Sequence, residues 1–292
     1  MPLDLRKYSS TVRVTDGAWG TELQARGLPA GASPELWNAE KPEAVEAVAR
    51  SYVEAGSDII LTNTFGGNKF VLGPHGAGDH APVLCEAGAH ISRRAAGHAV
   101  KVFGSIGPTG KVVMMGEVPE DELTEAFAAA AGGLKHGDVD AIVLESFSEL
   151  DEVRIAIRGV RKVTDLPLVV SMTFASGPDK TSTMMGNSPA ELAKLAEAEG
   201  AEAVGANCGV GPENYVKVAR LLREATDLPI WIKPNAGLPK IVGGKTVFPM
   251  GPEEFASHVP AFIEAGANFI GGCCGTTPEH IRAVRRSVDV RS

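Results

Sequence analysis

Short apolar runs rich in valine and isoleucine recur along the whole chain, separated by longer stretches with helical periodicity. There are eight such runs, at residues 12–16, 57–63, 100–106, 141–145, 168–173, 203–208, 230–234 and 267–273. They do not alternate cleanly with polar residues, which is typical of strands that are buried on both faces of a parallel sheet. The pattern therefore predicts eight strands, each followed by helical sequence.

The stretches between the runs carry recognisable helix ends. Ser188-Pro189-Ala190-Glu191 offers an N-cap, a first-turn proline and an early acid, and predicts a helix that runs to Gly200. Residues 43–55 end at a glycine in the same way, and Thr277-Pro278-Glu279 predicts the start of the last helix. Without an obvious linker, the units predict a single (β/α)8 TIM-barrel domain over residues 1–292. A doubly wound open sheet is the alternative, although it would usually have fewer units.

The composition narrows the class of protein further. Hydrophobic content of 44% and charged content of 22% are those of a soluble globular protein. The net charge is −8 and the basic residues are scattered, which argues against nucleic acid or an anionic membrane as a partner. No apolar run approaches the roughly 20 residues of a membrane span, and the N-terminus lacks the apolar core of a signal peptide. We expect a cytoplasmic protein, in which clustered cysteines bind metal more often than they form disulfides.

Three of the four cysteines lie beside glycines at the ends of predicted strands six and eight: Cys208, Cys273 and Cys274. Because the carboxyl ends of barrel strands meet at one mouth, we expect the three thiols to converge. Three protein ligands with an open fourth position are typical of a catalytic zinc site. The adjacent pair alone is also compatible with two core cysteines or a strained disulfide. Cys85 falls in a probable helix, where we expect a small buried hydrophobe.

An all-sulfur site indicates a reaction class. Zn²⁺ with three thiolates carries a net charge of −1, so it activates water poorly but can bind a substrate thiol as the thiolate. Alkyl transfer to sulfur fits such a site better than hydrolysis does. Histidines 75, 80, 90, 98, 136, 258 and 280 all fall away from the predicted strand ends, which disfavours a histidine-ligated hydrolytic zinc.

Polar residues at other strand ends supply candidate substrate contacts. Asp16 and Glu145 could hold a cationic amino group, and backbone N–H groups of residues 17–20, beginning with Gly17, could receive a carboxylate. Asn63 and Asn207 complete the expected substrate-binding set. Two alternatives of another class stay open. One is a Schiff-base aldolase built on Lys233, which leaves the cysteines unexplained; the other is a non-catalytic zinc or redox-sensing barrel.

Four motifs carry a family resemblance: Asp16-Gly17-Ala18-Trp19-Gly20-Thr21-Glu22-Leu23, Asn207-Cys208, Lys233-Pro234-Asn235-Ala236-Gly237 and Gly271-Gly272-Cys273-Cys274-Gly275-Thr276-Thr277-Pro278. With them the chain resembles the homocysteine S-methyltransferase family over nearly its whole length. The resemblance implies a homocysteine-binding (β/α)8 barrel with zinc on Cys208, Cys273 and Cys274. It also implies that Asp16 and Glu145 help to bind homocysteine. Residues 62–68 and 106–110 resemble the homocysteine-binding domain of cobalamin-dependent methionine synthase.

The family resemblance also bears on the identity of the methyl donor. The resemblance favours synthesis of methionine with methylcobalamin, a corrinoid, carried on a separate protein, and it implies a methyltetrahydrofolate-binding partner. A small donor, S-methylmethionine or betaine, is the alternative, although three tyrosines and three tryptophans are few for a cage around betaine. The chain carries no corrinoid-binding motif, so we expect either a standalone subunit, which the initial methionine favours, or a fragment of a larger enzyme.

Two long loops, 176–187 and 238–250, are expected to rise around the barrel mouth. The second contains Val242-Gly243-Gly244-Lys245, which predicts a hairpin. We expect these loops to expose apolar residues to a corrinoid-carrying partner. Those residues are Met184, Met185, Val247, Phe248 and Met250. The alternative is that these residues pack against the rim of the barrel.

Overall fold

Eight parallel strands form the centre of the computed structural model, which describes residues 3–243 and 245–290. The barrel strands are β1 (Arg13–Val14), β2 (Ile59–Leu61), β3 (Lys101–Ile106), β4 (Ala141–Phe147), β5 (Leu168–Met172), β6 (Ala203–Cys208), β7 (Ile230–Pro234) and β10 (Ala267–Ile270). β8 (Lys240–Val242) and β9 (Lys245–Val247) form a separate antiparallel hairpin in the predicted place. Its predicted turn includes Gly244, which lies outside the described residues.

The strands follow one another around a barrel in the order β1-β10-β7-β6-β5-β4-β3-β2. A single parallel bridge between Thr15 and Ile59 closes the circle from β1 to β2. The Asp58 N–H reinforces this seam by donating to Val14 O at 2.7 Å. These contacts confirm the predicted (β/α)8 barrel.

Helices cover the outside of the barrel. They are α1 (Leu5–Tyr8), α2 (Gly20–Ala25), α3 (Trp37–Glu40), α4 (Pro42–Glu54), α5 (Lys69–Leu72), α6 (Ala81–Ala96), α7 (Glu120–His136), α8 (Leu150–Arg161), α9 (Pro189–Ala198), α10 (Pro212–Ala225), α11 (Pro252–Ala256), α12 (Val259–Glu264) and α13 (Pro278–Asp289). Ser188 and Glu191 form the capping box that their spacing predicted at the start of α9. None of the helices in the described ranges is long and apolar enough to cross a bilayer.

The predicted strand bounds were wrong at three short strands, where the ladder stops before the apolar sequence does, and at β4, which runs two residues further than predicted. β1, β2 and β10 are two to four residues long, whereas the predicted runs there contain five to seven. Beyond the ladder, side chains replace backbone pairing: Leu61 N–H, for example, donates to Asp16 Oδ2 at 2.7 Å. The residues past these short strands therefore belong to the barrel mouth.

The barrel interior is divided into an apolar floor and a polar upper layer. In the floor, the Trp231 ring lies 6.0 Å from Phe103 and 5.4 Å from Phe269, between ring centroids. Above it lie side chains from the next inward positions of the same strands, which are Ser105, Glu145, Ser171, Asn207 and Lys233. A second apolar core fills the space between the outer strand faces and the helices. The buried polar side chains of the barrel interior therefore lie toward the carboxyl ends of the strands.

Candidate active site

Three thiols meet at the carboxyl ends of the strands. The sulfurs of Cys208, Cys273 and Cys274 all lie within 4.8 Å of one another. Cys208 ends β6, and the other two follow β10. Backbone bonds to the intervening strand β7 hold them in register: Cys273 N donates to Pro234 O at 2.8 Å, and Asn235 N donates to Cys208 O at 3.1 Å. The predicted convergence of the thiols is observed.

A tight left-handed turn aims Cys208 at the cluster. Cys208 has φ +67° and Gly209 has φ +70°, so two successive residues occupy a region that non-glycine side chains rarely adopt. A Cβ at Gly209 would lie 2.5 Å from the hydroxyl of Tyr215, which donates to Asn207 O at 2.7 Å. Glycine is therefore required here for both its φ angle and its small size.

Two side-chain amides lie against the sulfurs. Asn235 Nδ2 is 3.6 Å from Cys208 Sγ and donates to Gly209 O at 2.7 Å, and Asn207 Nδ2 is 4.0 Å from Cys273 Sγ. N–H groups directed at sulfur favour the thiolate. Asn235 was not predicted as a site residue, although it lies in the motif of residues 233–237.

The three thiols are close enough to share protons. Hydrogen bonds donated by Cys273 and Cys274 lower the pKa of the Cys208 thiol to about 3. The same contact with Cys208 raises the pKa of Cys274 to about 12, and it holds the pKa of Cys273 well above its ordinary value. A tetrahedral Zn²⁺ with Zn–S bonds of about 2.3 Å needs sulfurs roughly 3.8 Å apart, which this grouping accommodates. The donor set, three soft sulfurs with no fourth acidic or histidine ligand among the described residues, fits zinc with an open position.

Glu145 lies beside the cluster, in the polar layer. Its side chain is buried, 7% exposed, and Ser105 Oγ donates to Oε1 at 2.5 Å. Burial raises the pKa of this carboxyl, and the nearby charge of Lys233 opposes that shift. No N–H or O–H in the described part of the chain donates to its second oxygen. Glu145 can therefore accept a hydrogen bond from a ligand.

Asp16 is fully buried and already has protein partners. Oδ1 forms an ion pair with Lys233 Nζ, and Oδ2 accepts from Trp19 Nε1 and Leu61 N, each at 2.7 Å. The expected contact between Asp16 and a substrate amino group stays a prediction. A Schiff-base role for Lys233 would need an accessible, unpaired amine, whereas Lys233 is paired and 2% exposed.

Asn207 connects two strand ends rather than facing open space. Its Oδ1 accepts from Ser146 N at 2.8 Å and Ser171 Oγ at 2.7 Å, while Nδ2 donates to Ser146 Oγ at 2.6 Å. Ser146 has φ +65°, so this clamp holds a strained residue directly after Glu145. Asn207 thereby fixes the irregular stretch of β4 that contains Glu145.

The remaining predicted contacts are partly occupied by protein. Asn63 Nδ2 donates to Pro34 O at 2.8 Å and to Asn38 Oδ1 at 2.9 Å. In the turn after β1, Ala18 N–H is directed at Thr276 O, so this amide of residues 17–20 is not available to a carboxylate. A Cβ on Gly17 would clash with the Thr276 and Tyr52 hydroxyls at 2.8 Å, which explains the glycine. Direct substrate contact by Asn63 or Gly17 stays a prediction.

The loops around the mouth expose a different set of apolar side chains from the one expected. Met184 is 78% exposed and Met185 and Val247 are partly exposed, as expected. Phe248 and Met250 are half-buried against the core, and the Phe248 ring lies where a side chain on Gly275 would be, so their predicted exposure was wrong. Met114 and Met115, which were not predicted, are about 70% exposed in the loop after β3.

Comparison with known protein families gives a match over residues 13–288 to the family described as homocysteine S-methyltransferase. The methionine synthases of Mycobacterium leprae and Mycobacterium tuberculosis are 34% and 35% identical to this chain over 97% and 96% of its length. The chain spans about a quarter of the length of these curated relatives, since it covers 25% of each.

Solved structures show the same fold. The metallated form of the homocysteine methyltransferase MmuM from Escherichia coli superimposes with a TM-score of 0.81 at 22% identity, covering all of both chains. The oxidized form of that protein superimposes with a TM-score of 0.78 at 23% identity, over 99% of this chain and 98% of the other. Identity this low supports likeness of fold alone.

Proposed function

This chain belongs to the homocysteine S-methyltransferase family, a family of enzymes, and from that premise we propose that it transfers a methyl group to the thiol of homocysteine, making methionine. The observation that carries the proposal is the convergence of three thiols, within 4.8 Å, at the barrel mouth. The cluster suits a metal ion that binds thiolate ligands, and Zn²⁺ is such an ion.

In this proposal Cys208, Cys273 and Cys274 hold the zinc, which when bound supplies a deprotonated, nucleophilic substrate thiol. The chain's own residues orient that substrate. The unpaired oxygen of Glu145 accepts from the amino group, and the Asn207–Ser146 clamp keeps the carboxylate in position. The side-chain amides of Asn207 and Asn235 donate N–H groups toward the sulfurs of Cys273 and Cys208 and so stabilise the thiolates.

For the donor, the proposal is a methylcorrinoid carried on another protein or on another part of a longer polypeptide. Relatives named methionine synthase support it, and a methyltetrahydrofolate-binding partner would then reload the corrinoid. Exposed Met114, Met115 and Met184 at the mouth suit transient docking. The four free thiols are compatible with the expected cytoplasmic location.

A small methyl donor is the second candidate. The homocysteine methyltransferase from Escherichia coli has a chain that this one covers completely, so it has no room for a further corrinoid-carrying domain. S-methylmethionine or betaine would be that donor. It would have to enter the same mouth as the corrinoid.

One assay separates these possibilities. Purified, zinc-loaded protein is given homocysteine with methylcobalamin, S-methylmethionine or betaine in parallel, and methionine is measured. Turnover with methylcobalamin supports the corrinoid proposal, and efficient turnover with either small donor replaces it. No methionine from any donor, together with no binding of homocysteine, refutes the proposed function.

A further inference from the structure

An ammonium group supplied by the protein itself lies inside the barrel. Lys233, on β7, directs its side chain into the polar layer, where it is 2% exposed. Its Nζ pairs with Asp16 Oδ1 and lies 5.6 Å from the centroid of the Trp231 ring. A buried lysine keeps its charge only where such partners replace water.

The partner carboxylate has little capacity left for a ligand. The three donors to Asp16 come from three parts of the fold: Lys233 on β7, Leu61 on β2 and Trp19 at the start of α2. The carboxylate is completely buried. A substrate amino group would have to compete with Lys233 for Oδ1 or displace a donor from Oδ2.

Glu145 differs from Asp16 in each of these respects. It has one hydrogen-bond donor, Ser105, among the described residues, and its second oxygen is unpaired. Lys233 acts on it through charge and forms no hydrogen bond with it. The two buried carboxylates are therefore inequivalent, since Asp16 is paired with a cation and Glu145 keeps one oxygen without a donor among the described residues.

We infer that Lys233 is a specificity-determining residue that takes the place of a substrate ammonium group at Asp16, so that Glu145 alone recognises the amino group of the thiol substrate. This rests on the proposed function for the identity of the substrate. The pairing itself depends only on the buried contacts of Lys233. Lys233 acts through Asp16 and is a positioning residue, not a catalytic one.

The test compares two thiols that differ by the amino group alone, L-homocysteine and 4-mercaptobutyrate. Calorimetry on zinc-loaded protein gives the dissociation constant of each, and their ratio reports recognition of the ammonium. One charge-assisted hydrogen bond predicts that wild type binds homocysteine roughly 10- to 150-fold more tightly. Glu145→Gln should reduce the ratio to about 1. The double variant Asp16→Asn/Lys233→Met, which removes both charges of the pair, should keep it.

A ratio of about 1 in the double variant, with normal zinc content, would overturn the inference, because Asp16 would then read the substrate. Failure of wild type to bind homocysteine would instead refute the proposed function. The two failures are therefore distinct.

Thermal unfolding tests the pairing without any substrate. Lys233→Met leaves a charged, buried Asp16 and should lower the melting temperature by roughly 5–15 °C. Because Asp16→Asn removes that charge, the double variant should lose clearly less than the sum of the two single variants. Additive losses would overturn the pairing.

Lys233→Ala offers an independent readout. Methylammonium chloride should raise its melting temperature relative to sodium chloride at equal ionic strength, by filling the vacated site beside Asp16. Wild type should show no such difference. An equal response of both proteins would contradict the inference.

Discussion

Replacing Gly209 by alanine tests how the turn after β6 positions Cys208, the proposed metal ligand. The left-handed backbone at φ +70° costs an alanine about 1–2 kcal/mol. The new Cβ would also lie 2.5 Å from the Tyr215 hydroxyl and displace it from Asn207 O. Losing a buried hydrogen bond adds about 1–3 kcal/mol. We expect unfolding free energy to fall by about 2–5 kcal/mol in total.

Gly200 is the matched control for this substitution. Its φ is +71°, and a Cβ there would meet nothing within 4 Å. Gly200→Ala should therefore lose only the conformational cost of about 1–2 kcal/mol. The difference between the two variants isolates the steric contribution at Tyr215.

Urea unfolding measures both losses, and competition with a chromophoric chelator measures zinc affinity. Because the clash lies next to Cys208, Gly209→Ala should weaken zinc binding at least about tenfold, whereas Gly200→Ala should leave it unchanged. Equal loss of stability in the two variants would refute the steric argument. Tight zinc binding by Gly209→Ala would show that the turn does not position the ligand.

Four further predictions follow from the site. Cys208→Ala should abolish stoichiometric zinc binding, whereas Cys85→Ala should retain it, as metal analysis of reduced protein will check. Homocysteine binding should release a proton, which calorimetry in buffers of different ionisation enthalpy will count. Burial lowers the pKa of His280, so this side chain binds a proton more weakly in the folded state than in the unfolded state. The free energy of unfolding should therefore fall as the pH drops below about 6.5, the ordinary pKa of histidine. Urea midpoints measured against pH should fall less steeply in His280→Gln. Met184→Glu should slow methyl transfer from a corrinoid protein and spare turnover with free methylcobalamin, and equal slowing of both would contradict a docking role.

The barrel and its thiol cluster were predictable because both depend on short-range sequence signals. Buried parallel strands produce continuous apolar runs, and carboxyl ends of parallel strands meet at one edge. Cys208, Cys273 and Cys274 could therefore be placed together from their positions at the ends of two such runs.

Charge pairing across the barrel could not be predicted in this way. The ion pair between Asp16 and Lys233 joins residues 217 positions apart, and nothing in either local sequence specifies which inward side chain meets which. The same limitation applies to Asn207, whose amide meets Ser146 across the strand between them. Exposure in loops was equally hard to predict, since Phe248 packs over Gly275 while Met114 remains in solvent.

The seam between β1 and β2 has a consequence for redesign of this protein. One backbone bridge closes it, and the Asp16 carboxylate adds a hydrogen bond to Leu61 N there. Asp16 thus maintains the closed shape of the barrel and balances its internal charge at once. An engineer who wishes to change the accepted thiol should vary Glu145 and the loops after β3 and β5, because changes at Asp16 would leave Lys233 without its partner and weaken the seam of the barrel.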